Sequence, residues 1–494
     1  MPAVPERKRG GWERGRAAGA GGVALALLVA LPRSGAADSL PNNRYALDLF
    51  QGPILAPLRV TGIAGAYAGY AEGIPGMVAN AAAVAVREPY SVNWFEPDIS
   101  GSLSIPLHLF EENNDFDNSG TLDEDYSSFI YATLGGRLQM GPIGVGLNAE
   151  LQRYEVDFGG GENIVTLGKH HLLAGAQLLG GQLAVGAGIR AVTLGINADT
   201  SDTTLTLIGV APQIGFLVRP DWASWRLGAT VRFPVDGGEF LLGDDATVDP
   251  RGVRRVGGLV LPDHVVLPWE LELGVAIQVG PRPLNPTWID PHEEEREARE
   301  ERARRRQERE ARRALQLRAA VDDEERRAVE ERHRRARERE AANEQNNAER
   351  ANDTLERDRR ARYQNWPREQ LLITAEILVT GAVQRGVSME WFLRGDIPDE
   401  PSKVGSSGAV VSFSPRFGIE TEPIPDRVQT RLGSYYEPSR FQRVGRQHFT
   451  FGADVKAFTT TFWGLTHEVT YKIQGGVDLA PRYESVSVGL GVWH

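Results

Sequence analysis

The chain has 494 residues, of which 41% are hydrophobic and 8% aromatic, with a net charge of −11, 55 glycines and no cysteine. The absence of cysteine excludes a disulfide framework, thiolate metal sites and thiol catalysis, and it suits an oxidising compartment where stray thiols are a hazard. Length alone admits two or three domains, so pattern must decide the architecture.

Arg7, Lys8, Arg9, Arg14 and Arg16 precede the apolar run Ala17 to Leu31, which ends in small residues at Gly35, Ala36 and Ala37. A basic start, a short apolar run and a small-residue exit predict a secretory signal over residues 1–37, cleaved near Ala36 or Ala37. The run is short for a membrane span, and no later stretch is apolar for long enough to be one. Any span must therefore be made of strands. Residues 38–90 follow, rich in glycine and alanine. Ile63, Ala64, Ala66, Tyr67 and Ala71 are too apolar for a solvated linker, so Ile54 to Val86 is expected to pack inside something as a plug, with glycine letting backbone approach backbone.

A period of two then recurs to the end of the chain. It predicts strands at 98–110, 126–140, 143–158, 165–179, 182–197, 204–219, 225–235 and 264–280, and at 369–384, 409–422, 428–437, 447–459, 466–479 and 485–493. Barrel strands 1–8 thus fall in 91–284 and strands 9–14 in 368–494. In 143–154, Ile143, Val145, Leu147, Ala149 and Leu151 share one face, while Gly144, Gly146, Asn148, Glu150 and Gln152 share the other. Val486, Val488, Leu490 and Val492 alternate likewise with Ser485, Ser487, Gly489 and Gly491. One face apolar and the other Gly, Ser, Thr or charged, in strand after strand, is the pattern of a barrel that is apolar outside and polar inside, in an outer membrane. Gly141-Pro142, Gly180-Gly181, 220–224, 423–427 and 460–465 are tight connections, whereas 111–125, 198–203, 236–263, 385–408 and 438–446 are mostly longer. Short turns face the periplasm and long loops the exterior. The fold expected is an all-β, 14-stranded antiparallel outer-membrane β-barrel with an N-terminal luminal hatch.

The connection over 285–367 breaks the tight rule. Of the 55 basic and 66 acidic residues, 22 and 21 lie in 292–362, without Pro or Gly, which leaves 33 and 45 elsewhere. Glu and Arg recur three or four apart, as at Glu297, Glu301 and Arg305, which favours a helix with side-chain ion pairs. Leu315, Leu317, Val321, Val329 and Leu355 make no heptad seam, so a coiled coil is the weaker reading. A solvated periplasmic helix, broken near Asp322-Asp323 or Asn346-Asn347, is the stronger one, reaching ~100 Å if unbroken. It is a candidate dock for a periplasmic protein or a cell-wall partner.

The chemistry is sparse. Asp115, Asp117, Ser119, Thr121 and Asp123 have the spacing of oxygen ligands in a calcium loop, with Gly120 at the turn, but Tyr126 stands where a bidentate Glu belongs. An acidic outer loop is the stronger reading; no other cofactor is expected. Parity turns Arg190, Arg226, Arg232, Lys456 and Lys472 inward beside Glu150, Glu270, Glu272, Glu376, Asp454 and Glu468. Arg190, Arg232, Lys456 and Lys472 are the candidate luminal ligand contacts, against mutual ion pairing as the default. His170 and His171 point to opposite faces of a strand and cannot jointly grip a metal. No catalytic or phosphate-cradling motif occurs, and the arginines of the insertion are balanced by acid, which argues against an enzyme and against nucleic acid.

The segment Arg59-Val-Thr-Gly62-Ile-Ala-Gly65-Ala66-Tyr67, then Ala71-Glu72-Gly73 and Asn80-Ala81-Ala82, resembles the N-terminal hatch of the outer-membrane long-chain fatty-acid transporter family (FadL-type). Ala81 replaces that family's usual Pro, and His494 its usual terminal Phe. Leu267 to Glu270 and Tyr435 to Ser439 also look like its strand and loop junctions. The resemblance implies a fourteen-stranded barrel with its hatch in the lumen, hatch residues Gly62, Gly65, Ala66 and Asn80, and passive uptake of hydrophobic small molecules such as long-chain fatty acids. The rival function is a barrel in outer-membrane lipid that anchors an assembly through its charged helix. An apolar luminal pocket would favour transport; a filled lumen would favour the platform.

Overall fold

The computed structural model describes residues 43–88, 91–105, 115–120, 125–157, 162–198, 205–238, 240–242, 246–256, 259–393, 406–441, 443–460 and 469–493. Fourteen strands run in chain order: β1 Phe95–Ile105, β2 Asp125–Met140, β3 Ile143–Asp157, β4 Glu162–Leu178, β5 Leu183–Ala198, β6 Leu205–Val218 and β7 Trp225–Arg232. After them come β8 Glu270–Val279, β9 Leu371–Thr380, β10 Ser412–Ile424, β11 Val428–Glu437, β12 Arg446–Thr460, β13 Val469–Ala480 and β14 Tyr483–Trp493. Each pairs antiparallel with the next, and β1 closes on β14 with Gly101 opposite Leu490 and Ile105 opposite Val486. Closure leaves no long edge in the wall, which lipid requires because it offers backbone groups no water.

The outward side chains fit that medium. On β3, Ile143, Val145, Leu147 and Leu151 are 37–55% exposed, while the alternate Asn148, Glu150 and Gln152 are buried toward the lumen. In water so large an apolar band would drive association; around a closed barrel it is the lipid-facing surface. No helix among the described residues is long and apolar enough to cross a membrane. The protein is an outer-membrane barrel of a double-membraned bacterium.

Parity sets the rims. Gly141-Pro142, the turn at 179–182, 219–224 and 425–427 are tight and share one rim with both ends of the barrel, the rim that faces the periplasm in barrels of this kind. On the other rim β13 and β14 are joined by Pro481 and Arg482 alone, a tight turn among longer connections. Arg482 takes a left-handed conformation (φ 61°) to close it. The expected strand 264–280 is also two elements, since His264–Leu267 leaves the wall and joins a small sheet with Val235–Gly237, Ala46–Asp48 and Gly386–Ser388. Pro268 has no N–H to continue a ladder, which suits a break there.

That small sheet places the start of the described chain at the outer mouth. Ala46–Asp48 runs parallel to both neighbours, and the Asp48 carboxylate accepts from Arg440 (3.0 Å) and Ser407 (2.8 Å). Here the wall is tall, with 14 to 17 residues in β2 to β6 against 8 to 10 in β7 to β9. Its inner face above the hatch is apolar rather than polar. Tyr154, Val165, Leu167, Leu194, Ile196, Leu205 and Leu207 form a core with Leu47, Leu49, Phe392 and Leu393 from the chain inside. A lumen polar from end to end was expected; only its lower part is so. The upper part of β6, with Leu205 and Leu207 inward and Ile208 and Val210 outward, is apolar on both faces, because one meets lipid and the other this core.

The insertion is two helices, α3 Pro291–Ala319 and α4 Asp323–Gln364. The break falls at Asp322, whose carboxylate caps the Glu325 N–H while Glu325 accepts from Val321 N–H, a near capping box. α4 runs unbroken past Asn346 and Asn347. The helices fold back antiparallel through Arg306–Glu344 (2.7 Å), Arg313–Glu340 (2.6 Å) and Arg359–Glu294 (2.6 Å). Ion pairs rather than a heptad seam join them. Its reach is therefore set by α4 alone, about 63 Å at 1.5 Å per residue. The root lies on the periplasmic rim, where His292 stacks on Trp94.

Candidate functional site

Residues 43–88 thread the barrel from the outer mouth to the periplasmic rim. Two short helices, α1 Leu58–Gly62 and α2 Gly73–Ala79, and a 3-10 turn over Ala81–Ala85 lie almost wholly buried against inward-facing wall residues. The wall makes room with glycine. Gly144, Gly175, Gly186 and Gly215 face one another across β3 to β6, and Gly228 faces Gly274 across β7 and β8. A Cβ on Gly144 would lie 2.0 Å from the Val84 carbonyl oxygen, and one on Gly186 would lie 2.1 Å from that of Ala81. Backbone thus rests on backbone, at a distance no other residue permits.

Asn80 is wholly buried and fixes the turn. Its amide donates to the carbonyls of Ala68 and Phe216 (3.0 Å each), and its oxygen accepts from Ala82 N–H (3.0 Å). One side chain therefore joins two parts of the hatch to β6. Gly62 ends α1 against Gly452, and its carbonyl accepts from Thr450. Gly65 holds φ +71°, which glycine adopts without strain, and its carbonyl accepts from Arg416. Ala66 is buried within the same segment.

Charge links hatch and wall in chains. Arg59 grips Glu420 with two hydrogen bonds (2.6 and 3.0 Å); Glu420 also holds Arg431, which forks onto Asp454, which holds Lys472. A second chain runs from Arg190 to Glu270 (2.6 Å), Arg232, Glu272 (2.9 Å from Arg232), Arg416 and Glu376. Arg232 donates to the carbonyls of Val78 and Ala79, and Glu376 accepts from Ala68 N–H. Arg226 meets Glu72 at 2.6 Å. Lys456 instead sits at the periplasmic rim on Asp426 (2.7 Å). All four candidate contact cations thus have carboxylate partners, and only Arg190 and Arg232 border a common cavity. That cavity, of about 120 Å³, also meets Glu150, Lys169 and His171. Another of about 110 Å³ lies below it beside Arg59, Tyr70 and Lys472. Arg416, Glu420 and Arg431 were not singled out from the sequence, although the same two-residue period turns them inward.

In the outer loop, both oxygens of Asp115 accept backbone N–H groups, from Ser119 and Gly120 (2.9 Å each), and Asp117 also accepts from Ser119. Thr121 and Asp123 lie outside the described residues. The described half of the loop is thus organised round its own backbone; among the described residues there is no group of three or more acidic or histidine side chains placed to hold a metal ion. Burial pushes the Asp117 carboxyl up to about 7. In the arm, hydrogen bonds from Arg313 hold the Glu340 carboxyl below its ordinary range.

No family model and no curated protein matches this sequence. Among solved structures, the chain is similar to CymD, a monoaromatic hydrocarbon channel, with 9% identity over 89% of this chain and 98% of that one and a TM-score of 0.42. A deltaS2S3 mutant of the monoaromatic hydrocarbon channel TodX gives 10% identity over 90% and 98%, with a TM-score of 0.43. The barrel stands on its own strand pairing.

Proposed function

We propose that the protein is a channel for passive inward passage of hydrophobic compounds, long-chain fatty acids or similar solutes, with the hatch as the part that moves. The observation that carries this reading is the apolar inner face above the hatch. A lipid-like solute crosses a polysaccharide outer layer poorly, and here it would meet Leu167, Leu194, Ile196 and Leu207 in an apolar core that Leu47, Leu49 and Phe392 of the chain inside help to fill. Displacing that part of the chain would expose Leu47, Leu49 and Phe392, a cost that burial of the solute's own apolar surface in their place would offset. The strand bearing Leu47 continues into the hatch, so a bound solute would favour hatch positions in which these side chains are displaced.

A second reading has its own support. The luminal cavities, about 110 and 120 Å³, are small and ringed with charge, and a filled lumen fits a platform whose arm docks a periplasmic protein or cell-wall polymer. Uptake separates the two. Cells lacking the protein should take up long-chain fatty acids or monoaromatic hydrocarbons more slowly, and Asn80→Ala should partly reproduce the loss. Equal uptake across the panel would leave the platform ahead.

A further inference from the structure

A cavity of about 340 Å³, larger than either luminal one, lies at the periplasmic rim. It is enclosed by the end of the hatch, the linker at 286–289 and the last turn of α4. Its size falls within the range of small-molecule sites, roughly 300–1,000 Å³. Trp288, Ile289, Tyr363 and Trp366 supply an apolar lining, with the Tyr363 and Trp366 rings edge to face at 5.8 Å. Arg87, Arg359 and Arg362 supply positive charge.

That charge is incompletely matched. Arg359 and Arg362 share the single carboxylate of Glu294, at 2.6 and 3.0 Å. Arg87 stacks on Trp288 at 4.3 Å, and its four hydrogen bonds go to Gly141 O, Ser91 Oγ, Asn93 O and Trp94 O, all uncharged. The one acidic residue in the lining, Glu88, pairs with Arg137 of β2 at 3.1 Å. Glu96 and Asp290 offset Arg87 in part from outside the lining; within the lining, three guanidinium groups beside aromatic faces stand against Glu88 alone, which matches a carboxylate on an apolar body.

We infer that this cavity is an exit-side binding site for an amphipathic carboxylate, its apolar body against Trp288, Tyr363 and Trp366 and its carboxylate toward Arg87 and Arg362. The assignment to exit rests on the uptake reading. It gives the charged insertion a role at its root, because Arg359, Arg362, Tyr363 and Trp366 all belong to α4 or the residues just after it. An alcohol or a cation of the same chain length lacks the group these arginines recognise.

The experiment is calorimetric titration of the full-length protein in nanodiscs with decanoate, decanol and decyltrimethylammonium. Decanoate should bind about tenfold or more tightly than decanol, the worth of one charge-assisted hydrogen bond, and the cation should not bind. Arg362→Gln, at a half-exposed position, should remove the preference for decanoate and leave decanol unchanged; Trp366→Ala should weaken both. Equal affinity for decanoate and decanol, or a preference untouched by both variants, overturns the site. Slower uptake in cells lacking the protein, without this preference, would sink the site alone. Preference without any uptake defect would sink the uptake reading and leave a carboxylate site without a role in exit.

Discussion

Gly228 of β7 lies against Ala68 of the hatch so closely that a Cβ on Gly228 would stand 1.9 Å from the Ala68 carbonyl oxygen. The same holds for Gly186 and Ala81. The hatch is seated by what the wall lacks.

Gly186→Ala and Gly228→Ala should therefore unseat the hatch while the barrel still forms, since the obstruction is backbone and cannot turn aside. Overpacking of this kind costs about 1–3 kcal/mol. Gly195→Ala is the control, because a Cβ there would meet nothing nearer than 4.0 Å. Leakage of a small polar dye into liposomes should rise for the first two and not for the third. Equal leakage in all three would contradict the seating.

Asn80→Ala removes three hydrogen bonds and leaves the Ala68 and Phe216 carbonyls without that donor. At about 1–3 kcal/mol for each buried group left unsatisfied, the hatch should exchange its amide hydrogens faster by an order of magnitude or more, with β3 to β6 unchanged. Faster exchange throughout the wall would show that Asn80 supports the barrel instead.

Much of this architecture is written in the sequence. All fourteen strands are legible in order, because lipid on one side and a hatch on the other impose a strict alternation. It blurs in β6, where Ile208 and Val210 meet lipid while Leu205 and Leu207 meet the core beneath the outer loops. The break at Asp322 is legible from its capping residues, but the return of α4 along α3 is not: it rests on pairs such as Arg313 with Glu340, which local spacing cannot reveal. The glycines facing the hatch are visible as an inward stripe, yet nothing local says that Gly186 meets Ala81. The site at the root of the arm was missed for the same reason, since Arg87, Trp288 and Trp366 are brought together only by closure of the barrel.

The arm should be dispensable for barrel folding and sensitive to salt and acid. Its exposed pairs are individually weak, about 0.2–0.5 kcal/mol each, and screened by salt. Glu340 titrates below its ordinary range in the folded arm, so its contribution is present above the unfolded value and lost as pH falls. Helical circular dichroism of residues 290–365 should decline with added salt and again below about pH 4. A barrel with the insertion replaced by a Gly-Asn turn should still show heat-modifiable migration. Failure of that barrel to assemble would contradict the prediction, and so would cleavage of the arm by protease added outside intact cells.

The outer loop should behave in the opposite sense. The Asp117 carboxyl is raised by burial to about 7, so the folded loop holds its proton more tightly than the unfolded chain. Its contribution is complete below the unfolded value, near 4, and is lost as pH rises through about 7. Protease cleavage near Asn118 should therefore quicken between pH 5 and 8, and Asp117→Asn should flatten that dependence. A rate independent of pH in the native protein would contradict it.

Passage through the barrel should require the hatch to move, and the absence of native cysteine allows hatch and wall to be tied together selectively. A Cβ on Gly62 would lie 3.3 Å from the Gly452 Cα, and one on Gly452 would lie 3.1 Å from the Gly62 Cα, so hatch and wall touch at this pair and cysteines placed there would be direct neighbours. In cells carrying Gly62→Cys with Gly452→Cys, uptake of a labelled long-chain fatty acid is measured before and after reduction. Uptake should be slow when the disulfide bridge is formed and recover when it is reduced, with each single variant unaffected by the reductant; the same uptake rate in both states of the double variant would contradict a moving hatch.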